Sequence, residues 1–200
     1  MVCEHPDSKH EWQVGVDEAG RGCLLGPVFS ACVLWDPGIP CHDINDSKKM
    51  SENKRKEMRL YIETHAIAYG IGVSSTEEID SCNILQATFK AMHRAIDIVV
   101  SCNDVHHILV DGDRFLPYPD IKHTCVTRGD QMYTNIAAAS ILAKEHHDEW
   151  IHTHYVDDRE YGLLNNKGYG TLQHRNGIIQ HGLTTHHRKT FCKNIKSMKS

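Results

Sequence analysis

The chain has 200 residues, 40% hydrophobic and 24% charged, with a formal net charge of −4 at pH 7. Those values fit one soluble globular domain with a single sizeable core. No run approaches the roughly 18 or more consecutive apolar residues that a membrane span needs, and the net charge argues against a generally basic nucleic-acid coat.

Residues 1–11 are polar and carry no apolar signal core, so a flexible lead-in to an intracellular, cytoplasmic protein is expected. The domain should run from 12 to 192, with a short basic tail at 193–200. Trp12 to Asp17 reads as a first strand and Val28 to Trp35 as a second. The glycine-rich link between them suggests an antiparallel hairpin. Asp36-Pro37-Gly38-Ile39-Pro40 breaks the pattern. Ser51 is placed to cap a helix reaching His65. Ala66 to Ser74 is a third strand with Gly70 and Gly72 inside it, and Thr76 to Asp80 a short capped helix. Asn83 opens an amphipathic helix to Val100, with Leu85, Phe89, Met92, Ile96 and Val99 at helical steps. His107 to Gly112 is a buried strand ending in a carboxylate, and Ile121 to Val126 a fifth strand. Tyr133 to Tyr155 is a long helix whose Ala137-Ala138-Ala139-Ser140 start is small enough to pack closely on a sheet. From Asp157 onward the chain is polar and glycine-dotted, with a helix near Thr171 to His181. This is a mixed α/β layout.

Charge is unevenly spread. Between Lys48 and Arg59 six basic residues stand against two acidic ones, and from Gln173 to Ser200 there is no acid at all. Two such segments flanking a carboxylate site would suit a polyanion. The eight cysteines contain no Cys-x-x-Cys pair, so reduced thiols are expected rather than a zinc site or a disulfide framework. The sixteen histidines include three doublets. The densest group, Glu145-His146-His147-Asp148-Glu149 with His152 and His154, spreads around a helix instead of sharing a face, which suggests solvated surface residues.

Three strand ends carry acids: Asp17-Glu18, Asp111 and Asp130, each followed within a few residues or preceded by glycine. Sites in α/β sheets gather at strand ends. Four carboxylates without an evident nucleophile suit a hard divalent cation such as Mg²⁺ or Mn²⁺. Adjacent residues on a regular strand face opposite ways, so Asp17 and Glu18 can share one site only if the strand ends or twists there.

Asp17-Glu18-Ala19-Gly20-Arg21-Gly22 with Gly26-Pro27 resembles the opening motif of the type 2 ribonucleases H, in particular ribonuclease HII. Asn45-Asp46-Ser47-Lys48-Lys49, Asn83-Ile84-Leu85-Gln86-Ala87-Thr88, Val110-Asp111-Gly112, Ala138 to Lys144, Lys167-Gly168-Tyr169 and His187-Arg188-Lys189-Thr190-Phe191 are similar to that family's further blocks, in order. Ala19 and Arg21 favour type HII over the type 3 enzymes, whose first motif typically reads Glu-Ser-Gly-Lys-Gly. The resemblance implies an α/β ribonuclease H-like fold: a five-stranded mixed β-sheet flanked by α-helices, with a helical C-terminal segment. It implies an endoribonuclease that hydrolyses the RNA strand of RNA–DNA hybrids and incises 5′ of ribonucleotides embedded in DNA, leaving 3′-hydroxyl and 5′-phosphate ends. Asp17, Glu18, Asp111 and Asp130 would be the catalytic acids and hold two Mg²⁺ or Mn²⁺ ions. Gly20, Arg21 and Gly22 would read the 2′-hydroxyl, and Tyr169 would stack on the following deoxyribose. Lys48, Lys49, Ser140, Lys144 and Arg188 would contact phosphates. Asp148 is read as standing behind the metal site.

The sequence departs from the family pattern at Asp113, which adds an acid, and at Asn165-Asn166, which replace the usual histidine before Lys167. A monomer without a clear clamp-binding motif in residues 194–200 is expected. The alternative from another class is a catalytically idle hybrid-binding protein.

Overall fold

The computed structural model describes residues 12–41, 44, 47 and 50–195. The expected lead-in, Lys48, Lys49 and the last five residues lie outside them.

The strands are β1 (Gln13–Ala19), β2 (Val28–Leu34), β3 (Ala68–Ser74), β4 (His107–Asp111) and β5 (Lys122–Val126). The helices are α1 (Glu52–His65), α2 (Thr76–Cys82), α3 (Ile84–Val100), α4 (Thr134–His154), α5 (Leu163–Asn166), α6 (Leu172–His181) and α7 (Lys189–Cys192). They form one mixed sheet in the order β3-β2-β1-β4-β5. β1 is antiparallel to β2, and β2 to β3, whereas β1–β4 and β4–β5 are parallel. The five strands and the hairpin follow the sequence reading. The four-residue helices α5 and α7 do not, because they are too short to show a 3.6-residue period.

Helix starts follow local chemistry. The Ser51 hydroxyl accepts the Lys54 amide proton, and Asn83 Oδ1 accepts that of Gln86. Ser75 and Glu78 exchange hydrogen bonds as a capping box on α2. Glu78 also takes both Arg94 nitrogens, at 2.8 and 2.6 Å, which ties α2 to α3.

Both faces of the sheet are covered, and β2 is buried at every position. Alternation sorts its side chains. Cys32 and Leu34 join Val14, Val16, Ile108 and Val110 under α3, against Phe89, Met92 and Ile96. Ala31 and Val33 join Met58, Ile62 and Ala137 to Ala139 under α1 and α4. A third cluster holds the C-terminal segment to the end of α4 through Leu24, Leu25, Ile151, Tyr161, Leu163 and Ile178. Among the described residues no helix is long and apolar enough to cross a membrane. The seven described cysteines are free.

Helix α3 approaches β3 most closely over Gly72, where a Cβ would run into the Ala91 carbonyl. Neither backbone can give way without moving a whole element. Gly72→Ala should therefore cost about 1–3 kcal/mol, as overpacking does. In thermal unfolding this reads as a drop of several degrees for a chain of this size; an unchanged melting point would show that the interface yields.

Candidate active site

The parallel register places the acids. Val16 lies opposite Val110, so Asp17 and Asp111 follow side by side where β4 ends. β1 does not end at Asp17, as one expectation required. It stays paired with β2 through Ala19, with Asp17 opposite Ala31 and Glu18 opposite Ser30. The two acids therefore straddle the sheet edge. Asp17 faces α4 and is hydrogen-bonded to Ser140. Glu18 faces α3 and lines a cleft with Arg21, Phe89, Met92, Asp111 and Arg114. Asp113, the additional acid, stands at the cleft mouth with its side chain 82% exposed. After β5, Arg128 in a left-handed conformation turns the chain. The next amide, Gly129 N–H, donates to Asp111 Oδ1 at 2.7 Å. Asp130 follows it, buried, in the short 3₁₀ turn Gly129–Gln131.

Burial, and then the charges of Glu18 and Asp111, push the Asp17 carboxyl well above the usual carboxylate range. As the side chains stand, the acids are turned onto protein donors: Asp17 Oδ1 accepts from the Glu18 amide at 2.7 Å, and Glu18 Oε1 pairs with Arg21 Nη1 at 3.0 Å. Among the described residues no three His, Cys, Asp or Glu side chains converge closely enough to hold a metal ion in this arrangement. The donor chemistry nonetheless fits one. Asp17 is buried and the charges of Glu18 and Asp111 oppose its ionisation, a repulsion that a hard divalent cation neutralises.

The Gly20–Gly22 turn and Tyr169 are brought together. Cys23 pairs with Tyr169 as an isolated bridge, and the Leu24 amide donates to the Gly168 carbonyl at 2.8 Å. The Tyr169 ring lies against Gly22 and is 41% exposed. Burial, with Cys23 beside it, pushes the Tyr169 hydroxyl up to about 12, so it stays protonated. Lys144 Nζ lies 5.8 Å from the ring centroid and 2.8 Å from Asp148 Oδ1. Asp148 also meets His147 Nδ1 at 3.0 Å and Arg55 at 3.8 Å. It stands behind the turn, among cationic partners.

Two expected phosphate contacts are corrected. Arg188 is fully buried. Its guanidinium donates to the carbonyls of Gly26, Arg21 and Pro27 at 2.8, 3.0 and 3.2 Å, so it clamps the turn and is not offered to a phosphate. Ser140, 4% exposed, lies between Ser47 at 3.0 Å and Asp17, and orients that carboxylate instead. The basic run on α1 is also largely engaged: Arg55 with Glu145, Lys56 with Glu52, and Arg59 with Glu63 and Glu149.

Two supporting residues escaped the sequence reading. His147, read as solvated, is 0% exposed and sits so close under Gly20 that a Cβ there would strike its ring. Gly20 also has φ +87°, so only glycine suits the position. The four-residue step Ala139, Ala143, His147 was the signal for its burial. Asn166 holds the Lys-Gly-Tyr turn by donating to the Tyr161 carbonyl at 2.7 Å and accepting from the Gly168 amide at 2.9 Å.

A family model described as Ribonuclease HII matches residues 14–194. The chain is 51% identical over 179 residues to a ribonuclease HII of Parabacteroides distasonis, covering 90% of this chain and 89% of that one. Among solved structures, ribonuclease HII in a complex with PCNA from Archaeoglobus fulgidus superposes with a TM-score of 0.73 at 22% identity, covering 88% of this chain and 93% of that one. Bst-RNase HIII in complex with Mn²⁺ gives 0.68 at 18% identity, covering 90% and 64%. At such identities the two structures speak to the fold alone.

The raised Asp17 ionisation has a consequence for stability. A carboxyl whose folded pKa lies above its unfolded value favours the fold below the unfolded value, and that contribution is lost as pH rises through the folded one. Asp17→Asn, which can still accept from the Glu18 amide and Ser140, should in metal-free buffer be more stable than the parent at neutral pH by about 1 kcal/mol. The two should converge near pH 4. Denaturant unfolding at both pH values checks this; a variant less stable than its parent at pH 7 would show that repulsion does not dominate the site.

Proposed function

The chain belongs to the ribonuclease HII family, and from that premise we propose that it incises duplex DNA on the 5′ side of an embedded ribonucleotide. As a member it is a hydrolase, an endonuclease acting on the RNA strand of RNA–DNA hybrids. The observation that carries the finer reading is the bridge between Cys23 and Tyr169. It sets the Gly-Arg-Gly turn beside an exposed aromatic ring, at the edge where Asp17 and Asp111 lie.

In this reading Asp17, Glu18, Asp111 and Asp130 hold divalent cations, Mg²⁺ or Mn²⁺ and two per site. When bound, these ions supply an activated water and stabilise the leaving 3′ oxygen. The chain's own residues bind and orient. Gly20 and Gly22 let the backbone approach the ribose, whose 2′-hydroxyl distinguishes RNA from DNA. Arg21, now paired with Glu18, would turn its guanidinium fork to a phosphate. Tyr169 packs on the next sugar, where a 2′-hydroxyl would clash, and so favours an RNA-to-DNA step. Lys144, held by Asp148 beside the ring, supplies positive charge for the backbone there. Lys48 and Lys49 would add to it from outside the described residues. We take the enzyme to be monomeric and cytoplasmic.

A duplex with one ribonucleotide should be nicked 5′ of it in Mg²⁺ or Mn²⁺, leaving a 5′-phosphate, and chelation should stop the reaction. Asp111→Asn should bind the duplex and lose at least about a hundredfold in rate, the scale on which electrostatic site groups act. Binding without a nick in either metal would instead mark an idle hybrid-binding protein, and a near-parental rate for Asp111→Asn would remove it from the acid set.

A further inference from the structure

Two buried histidines that take no part in the proposed chemistry link the turn to Tyr169. His174, in the first turn of α6, and His187, just before α7, are 0% and 1% exposed. Their Nε2 atoms lie 3.0 Å apart. The outer nitrogens fix where the protons are. His187 Nδ1 accepts the Thr184 backbone N–H at 2.8 Å; an amide only donates, so neutral His187 carries its proton on Nε2. His174 Nδ1 lies 3.0 Å from the Tyr169 carbonyl, which only accepts, so neutral His174 carries its proton on Nδ1. One arrangement then satisfies every atom: His187 Nε2–H donates to His174 Nε2. A second proton on either ring would set two N–H groups against each other. Burial, with His174 and His186 nearby, holds His187 down at about 4, and burial holds His174 below the usual imidazole range, in keeping with that neutral arrangement.

This link joins both flanks of the segment that follows the Gly-Arg-Gly turn. Cys23 bridges to Tyr169 on one side, and Leu25 bridges to His187 on the other. The neighbour of His187 is Arg188, which clamps the carbonyls of Arg21, Gly26 and Pro27. The Tyr161 ring closes the cluster, 5.2 Å from His187 and 6.1 Å from His174. Tyr169 presents a ring that is partly in solvent, so its backbone is where its position can be set. The Tyr169 carbonyl also accepts from Thr171 N–H at 2.8 Å, so loss of the His174 bond shifts the residue without releasing it.

We propose that His174 and His187 are positioning residues that fix the spacing between the Gly20–Gly22 turn and Tyr169, and with it the preference for an isolated ribonucleotide over continuous RNA. The inference rests on the reading of Tyr169 as the junction contact. Its logic is geometric: misplacing a group that orients substrate by about 1 Å costs on the order of a hundredfold in rate. A continuous hybrid offers no RNA-to-DNA step for Tyr169 to select, so it depends less on that spacing.

Two experiments test it. Long-range ¹H–¹⁵N correlation spectra of the parent protein at neutral pH should show His174 as the Nδ1–H tautomer and His187 as the Nε2–H tautomer. The opposite tautomer at either residue, or an imidazolium, overturns the link without any variant having to fold. His174→Phe and His187→Phe keep a flat aromatic ring, somewhat larger than imidazole, and remove the N–H···N contact. Each should lower single-ribonucleotide incision about tenfold more than long-hybrid cleavage, as loss of about one hydrogen bond implies. In a Tyr169→Ala background neither should change that ratio further. Equal losses on both substrates, or ratios that multiply in the double variants, overturn the proposal. If Tyr169→Ala alone leaves the ratio unchanged, the junction reading fails and the claim about preference falls with it, whereas the tautomers still report on the link itself.

Discussion

The parallel register of β1 on β4 is the constraint on which the rest depends. By setting Val16 against Val110 it makes Asp17 and Asp111 neighbours at one sheet edge. No loop flexibility is involved, because both strands are pinned under α3 by Val14, Val16, Ile108 and Val110. The proximity is unfavourable in itself, since the charge of Asp111 opposes ionisation of the buried Asp17. The fold can sustain it because the cost is confined to one edge while β2 is buried along its whole length. Local electrostatic cost carried by a rigid scaffold is the usual signature of a site built for something not yet bound.

A second layer of residues deals with the turn and does so almost entirely through backbone atoms. Arg188 spends its guanidinium on three carbonyls of the segment from Arg21 to Pro27. Burial lowers its pKa only to about 10, so it remains a cation at neutral pH. His147 fills the space under Gly20, and Asn166 shapes the turn into Tyr169. A charge buried against carbonyl dipoles is costly unless all its donors are used. That requirement explains why an arginine near an expected polyanion site points inward.

The elements were legible in the sequence because their signals are local. Ser51 and Asn83 cap the helices they precede, and the stripe from Leu85 to Val99 faces the sheet. The candidate acids drew notice because glycines lie close to them in sequence, although β1 runs on past Asp17 and Asp130 lies in a turn beyond β5. What the sequence did not carry was the direction of individual side chains. Ser140 and Arg188 sit within recognisable blocks, yet which way they point follows from packing between distant segments, as in the pairing of Leu25 with His187 across more than a hundred and fifty residues. The doublet His146-His147 reads as two equivalent histidines in one dimension. The helix separates them, placing one under the turn and the other beside Glu63.

The same distinction bears on how one site could both cut and choose. Of the acids proposed to hold the cations, Asp17, Glu18 and Asp111 hang on strands and inherit the sheet's rigidity, while Asp130 sits in the turn beyond β5. The groups proposed to choose the cutting point, the glycine turn and Tyr169, belong to irregular segments that no sheet holds. Irregular backbone needs its polar atoms satisfied one by one, and here Asn166 of α5, His174 of α6 and Arg188 just before α7 do so. Such a network can be adjusted at one contact without disturbing β1 or β4. Under the proposed function, where the chain cuts is thus physically separable from whether it cuts: the first would depend on hydrogen bonds to a turn, the second on the register of two strands.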